Sequence, residues 1–200
     1  MSYFKIAGYL VSITGCEYPF FHKRMSEYLV SAPNTAADMR LVYRETDRIT
    51  RPEGESICTA GFKEWIKEPD GFISCVNGNF AEFNGYFSKL RANSDWTSFE
   101  LEVKSYEDEK LPRPLAAIAH TFIGEAFRFF LMNKGGLVIH SSSIVYQGRS
   151  VIFSAPPETG KSTHTGLWKK YFADDVTIIN DDSPAITLTP DGEILVNGTP

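Results

Sequence analysis

Residues 155–162 read Ala-Pro-Pro-Glu-Thr-Gly-Lys-Ser. Gly160, Lys161 and Ser162 stand at the spacing of a phosphate-binding loop, GxxxxGK[ST], with Ala155 in the place of the first glycine. The backbone N–H groups of such a loop wrap phosphates, and the helix that follows turns its positive end toward them. Gly160 admits a close backbone approach and an unusual dihedral angle. Lys161 sets a compact positive charge on the outer phosphates, and Ser162 offers a hydroxyl oxygen to magnesium. The expected nucleotide-binding set is Ala155, Pro156, Pro157, Glu158, Thr159, Gly160, Lys161, Ser162 and Thr163. Pro156 and Pro157 withhold two N–H donors. Alanine at position 155 costs about 1 kcal/mol if that position requires a positive φ.

A second candidate lies some twenty residues downstream, where Asn180-Asp181-Asp182 follows the apolar run Val176–Ile179. Carboxylates at the end of a buried strand can hold magnesium or accept a proton from a substrate hydroxyl. Asp-Asp-Ser-Pro is also turn chemistry. Asp174 and Asp175 precede the strand and read as loop surface. His140 ends the run Leu137–Ile139 and is placed to face the phosphates, although alone it reads as a structural histidine. Glu17, His22, Glu27 and Asp38 read as solvated surface, and His120 as a packed or surface side chain. Cys16, Cys58 and Cys75 are scattered, without a CxxC pair, and read as reduced thiols rather than a disulfide framework or metal cluster.

Elements must bring these groups together. The 200 residues are 42% hydrophobic and 22% charged, the balance of an ordinary globular chain. A net charge of −5 argues against a nucleic-acid partner. No stretch reads as apolar enough to span a bilayer, so no membrane partner is expected, and the chain reads as cytoplasmic. Residues 1–110 form a β-rich region of unassigned role. Tyr3 to Ile13 alternates like one half-buried strand, and turn signals recur at Pro33-Asn34, Pro52-Glu53-Gly54, Pro69-Asp70-Gly71, Asn77-Gly78-Asn79 and Asn84-Gly85. The charged run 105–110 reads as a linker, with Pro112 and Pro114 suited to a helix start. Leu115 to Met132 has helical spacing, and Gly135-Gly136 supplies a stop. Short strands are expected at 137–140, 143–146 and 150–154, with a turn at Gln147-Gly148-Arg149. The loop, a helix from Lys161, the strand 176–179 and a hairpin about Thr189-Pro190-Asp191-Gly192 follow.

The ordered set of Gly136 to Val145, then SAPPETGKST, then INDDSPAI resembles the catalytic domain of HPr kinase/phosphorylase, which shares its core with the ATP-dependent phosphoenolpyruvate carboxykinases. The resemblance covers about residues 115–200. It implies an α+β chain in which the β-rich region is followed by a helix and a mixed-sheet P-loop domain over residues 111–200. By the family's pattern that domain stops short at its C-terminal end. The resemblance implies ATP and Mg2+ as cofactors, with Ser162, Asp181 and Asp182 on the metal and Asp181, Asp182, His140 and Lys161 in catalysis. The implied activity is transfer of the γ-phosphoryl group to a hydroxyl of a protein, peptide or small metabolite. A non-catalytic nucleotide-binding module is the alternative. Residues 1–110 do not match the N-terminal domain of the bacterial enzymes, so HPr itself is not the expected acceptor. Homo-oligomerisation is left open.

Overall fold

The computed structural model describes residues 1–78, 85–107 and 113–200. Asn79, Asn84, Pro112 and part of the 105–110 linker lie outside the described residues. The chain forms two compact units, one of Met1–Lys5 and Tyr9–Phe130, the other of Ile6–Gly8 and Leu131–Pro200. Together they make a mixed α+β structure with a large, mostly antiparallel sheet and three α-helices among the described residues.

In the first unit the strands are β1 (Ser2–Ile6), β2 (Tyr9–Thr14), β3 (Leu29–Val30), β4 (Met39–Thr46), β5 (Glu55–Ala60), β6 (Lys63–Lys67), β7 (Ile73–Gly78), β8 (Tyr86–Ala92) and β9 (Ser98–Lys104). They build one sheet in the order β3-β1-β2-β4-β9-β8-β7-β6-β5. The pairs β2–β4 and β4–β9 are parallel. Alternate residues face the core, as the two-residue period of a strand requires: Met39, Leu41 and Tyr43 on β4, and Phe99, Leu101 and Val103 on β9, are all buried. The single strand expected over Tyr3 to Ile13 is instead two, β1 and β2, because the chain turns at Ala7-Gly8 with positive φ at both residues. A short helix, α1 (Pro19–Met25), opens with proline in its first turn and buries Phe21 and Met25.

Helix α2 (Leu115–Asn133) belongs to this unit as far as Phe130. Leu115, Ala119, Ile123, Ala126 and Phe130 form its buried stripe. Phe130 meets the ring of Tyr9 edge-on at 5.1 Å, and Phe129 meets Trp65 at 5.0 Å. By length and composition α2 could cross a membrane, with a mean hydropathy of 1.4, which corrects the expectation that no stretch could. The residues that raise its hydropathy include those packed against the sheet. His120 sits on the same helix against the edges of Phe20 and Phe21. Burial, reinforced by Arg24, holds its pKa below the ordinary histidine value. Glu17, His22, Glu27 and Asp38 do not form a site: His22 lies 3.5 Å from Glu17 and against the Phe21 ring, and Asp38 accepts the Leu10 N–H at 2.8 Å. The three thiols are free, with Cys16 and Cys75 buried and Cys58 exposed.

The second unit holds two three-stranded sheets. One is β10 (Leu137–Val138), β14 (Ala185–Leu188) and β15 (Ile194–Asn197), in the order β10-β14-β15. The other has β11 (Ser142–Tyr146) between β12 (Arg149–Phe153) and β13 (Val176–Asn180). The described pairs in this unit are antiparallel, and the mixed pairing occurs in the large sheet. The two-residue turn Gln147-Gly148, with φ of 50° and 72°, joins β11 to β12 in the twist that favours a tight hairpin. Helix α3 (Lys161–Phe172) packs on β11 and β13. On it, Trp168 and Phe172 lie one turn apart and both pack against Tyr146, at ring distances of 5.3 and 5.0 Å.

Candidate functional site

Topology places the candidate residues of the second unit. β12 and β13 both run antiparallel to β11, so they run parallel to each other. Their C-terminal ends therefore share one end of the sheet. β12 leads there into the loop 154–160, and β13 leads into Asn180-Asp181-Asp182. The register sets Ser142 opposite Phe153 and Ser143 opposite Asn180, so the start of β11 lies at that end too.

The loop turns into α3 at Gly160, whose φ of 90° is a left-handed conformation that favours glycine. No side chain caps the helix start. Ala155 does not have a positive φ, so the strain considered for it is absent; Glu158, with φ 64°, takes the left-handed position instead. Lys161 Nζ donates to the carbonyls of Ala155 at 3.0 Å and Pro156 at 3.3 Å. Thr159 Oγ1 donates to the Pro156 carbonyl at 2.7 Å, closing the loop on itself. Pro156, Pro157 and Glu158 are exposed.

A cleft of about 610 Å3 opens beside the loop. Its lining joins Ala155, Thr159, Gly160, Lys161 and Thr163 of the loop and helix start with the larger side chains of Ile152, Phe153, His164 and Leu167. The ring of His164 stands edge-on to Phe153 at 4.7 Å. Its Nε2 accepts the indole N–H of Trp168 at 3.2 Å, which leaves the proton of the neutral ring on Nδ1.

The two aspartates part company. Ser142 Oγ donates to Asp181 Oδ1 at 2.5 Å and also lies 2.9 Å from Thr165 Oγ1, which reaches the Ser162 carbonyl at 3.0 Å. Ser142 and Thr165 are buried. This chain of hydroxyls ties Asp181 to the first turn of α3. Asp182 turns the other way: its Oδ1 lies 3.2 Å from His140 Nδ1, and its Oδ2 accepts the Ser183 hydroxyl at 3.1 Å. Asn180 fixes this divergence. Its Oδ1 accepts the N–H groups of Asp182 and Ser183 at 2.9 and 2.7 Å, and its Nδ2 donates to the Thr199 carbonyl at 3.0 Å. Asp-Asp-Ser is thus a side-chain-stapled turn that presents two carboxylates in different directions.

Sequence reading overlooks the roles of Ser142, Thr165, Asn180 and His164. Hydroxyls and amides carry no spacing signal of their own. His164 had one, since with Trp168 and Phe172 it forms an i, i+4, i+8 aromatic row.

Comparison with protein-family models, curated proteins and solved structures found no match to this chain.

Proposed function

We propose that this chain is an HPr-kinase-like nucleotide-binding domain that transfers the γ-phosphoryl group of ATP, with magnesium, to a hydroxyl of a protein, peptide or small metabolite. The observation that carries the reading is that Asp181 and the loop that leads into α3 share one sheet end, where Ser142 and Thr165 join Asp181 to the Ser162 carbonyl, next to Lys161. The fit to a triphosphate rests on three features of the loop: an uncapped helix start, a lysine held by two carbonyls alone among the contacts described, and an adjoining cleft. Helix-start amides and a single lysine suffice to hold phosphates on an acidic protein.

ATP supplies the transferable phosphoryl group, and magnesium offsets the charge of its phosphates. Lys161 exchanges its two carbonyl partners for phosphate oxygens and neutralises charge as it develops. Ser162 Oγ and Asp181 would be the protein's oxygen donors to magnesium, which commonly needs only one or two protein ligands at a nucleotide. Asp182, paired with His140 and turned from the α3 network, orients the acceptor hydroxyl and takes its proton.

Titration with Mg-ATP tests binding, and release of label from γ-labelled ATP onto candidate acceptors tests transfer. The wild type binds and Lys161→Ala does not. Equal behaviour of the two proteins would sink the reading. One observation favours a second, non-catalytic reading: Pro156 and Pro157 lack N–H donors, and Glu158 brings a carboxylate to the loop. Mg-ATP binding that never leads to transfer or hydrolysis would decide for it.

A further inference from the structure

Resting on that nucleotide reading, we propose that the wall formed by Ile152, Phe153, His164 and Leu167 is a nucleobase subsite, which takes the base on its face rather than by its edge. The phosphate loop and this wall line one continuous cleft, so a ligand anchored at Lys161 meets the wall without leaving the protein. Two elements build the wall, and they meet where the His164 ring stands against Phe153. Ile152 and Phe153 come from the last residues of β12, before the loop, and His164 and Leu167 come from the first two turns of α3, after it. A planar ring lies flat against such a wall, because aromatic and aliphatic side chains pack on a π-face whatever the base.

The side chains there are poor readers of a base edge. His164 has Nε2 committed to the Trp168 indole, so in the neutral ring it offers one donor, Nδ1–H, and no free ring acceptor. The Phe153 edge contact and the Trp168 hydrogen bond together fix the imidazole plane, so the ring forms a rigid part of the wall. Leu167 is 42% exposed, an apolar side chain in open contact with the cleft. Covering it with a base removes apolar surface from water.

The experiment compares Mg-ATP with magnesium tripolyphosphate, which carries the phosphates and no base. Calorimetric titration is run on the wild type, Leu167→Ser, Ile152→Ser and Lys161→Ala. The expected result is that the wild type binds ATP about tenfold more tightly than tripolyphosphate. Leu167→Ser and Ile152→Ser each erase most of that advantage while leaving tripolyphosphate affinity within about twofold. Because Leu167 is exposed, its variant keeps the fold even if Ile152→Ser does not. Equal affinity for the two ligands in the wild type overturns the base subsite and leaves the phosphate loop standing. An ATP advantage untouched by Leu167→Ser also overturns it. Binding of neither ligand by the wild type overturns the nucleotide reading, and the subsite with it.

Discussion

Ser142 Oγ lies 2.5 Å from Asp181 Oδ1 and 2.9 Å from Thr165 Oγ1, so one buried hydroxyl joins the end of β13 to α3, the helix that follows the loop 154–160. A carboxylate only accepts, so Ser142 spends its proton on Asp181, and Thr165 keeps its own for the Ser162 carbonyl or for Ser142. The link orients Asp181, and on the proposed nucleotide reading the second carboxylate oxygen is the one that faces magnesium. On that reading, Ser142→Ala should lower magnesium affinity or phosphoryl transfer about 10- to 100-fold, the usual effect of removing a partner that orients a metal ligand. The diagnostic reading is the magnesium concentration for half-maximal transfer, which rises. Stability falls by about 1 kcal/mol, seen as a lower urea midpoint. A variant with reduced stability and an unmoved magnesium requirement would show that Ser142 serves packing alone.

Glu158 sits in a left-handed conformation, φ 64°, within the loop. Such a conformation costs a residue with a β-carbon about 1 kcal/mol or more. Glu158→Gly removes that strain at a cost in chain entropy, so stability should stay within about 1 kcal/mol of wild type. Glu158→Val adds a β-branched side chain and should destabilise the unit, as thermal unfolding will record. On the nucleotide reading the carboxylate also repels phosphates. Glu158→Gln, which keeps the backbone demand and drops the charge, should bind Mg-ATP more tightly than wild type, and more so at low salt.

Much of the local structure is legible in the sequence. Three- and four-residue spacing from Leu115 onward gives α2, and Thr189-Pro190-Asp191-Gly192 gives the β14–β15 hairpin, closed by the Thr189 N–H on the Glu193 carbonyl at 2.9 Å. The Ala7-Gly8 turn is not legible, because two small residues fit the alternation of a continuous strand. Helix α1 is too short for its periodicity to declare itself. Parallel pairing of β4 with β2 and β9 joins strands far apart in sequence, which no local signal reveals. For the candidate site, the loop and the aspartates are legible as motifs, whereas the opposed aims of Asp181 and Asp182 depend on Asn180 and on the register of β11 with both neighbours.

His120 gives the first unit a pH response. Burial foremost, and then Arg24, lower its pKa from the ordinary 6.5. The folded state thus keeps the ring neutral where the unfolded chain takes up a proton. The stabilisation is complete above pH 6.5 and is lost as the pH falls through the lowered folded value. Urea midpoints measured between pH 7.5 and 5 should fall with acidification, more steeply in wild type than in His120→Gln. Parallel slopes in the two proteins would assign the response to other groups.

The three thiols should separate by reactivity. A thiolate is the reacting species, so both access and pKa count. Cys16 and Cys75 are buried, and burial pushes each thiol up to about 12, which leaves almost no thiolate at neutral pH. Cys58 is exposed on β5, next to Trp65 in the sheet register, and shares a shallow cleft with Trp65 and Trp96. A thiol-specific chromogenic reagent at pH 8 should therefore label one equivalent quickly in native protein, and Cys58→Ser should abolish that fast phase. The remaining two should react only as the first unit opens, at a rate set by unfolding or by local opening rather than by reagent concentration. Urea should bring all three to the same fast rate. Fast labelling of more than one thiol in native protein would mean that the packing around Cys16 or Cys75 opens far more readily than its burial implies.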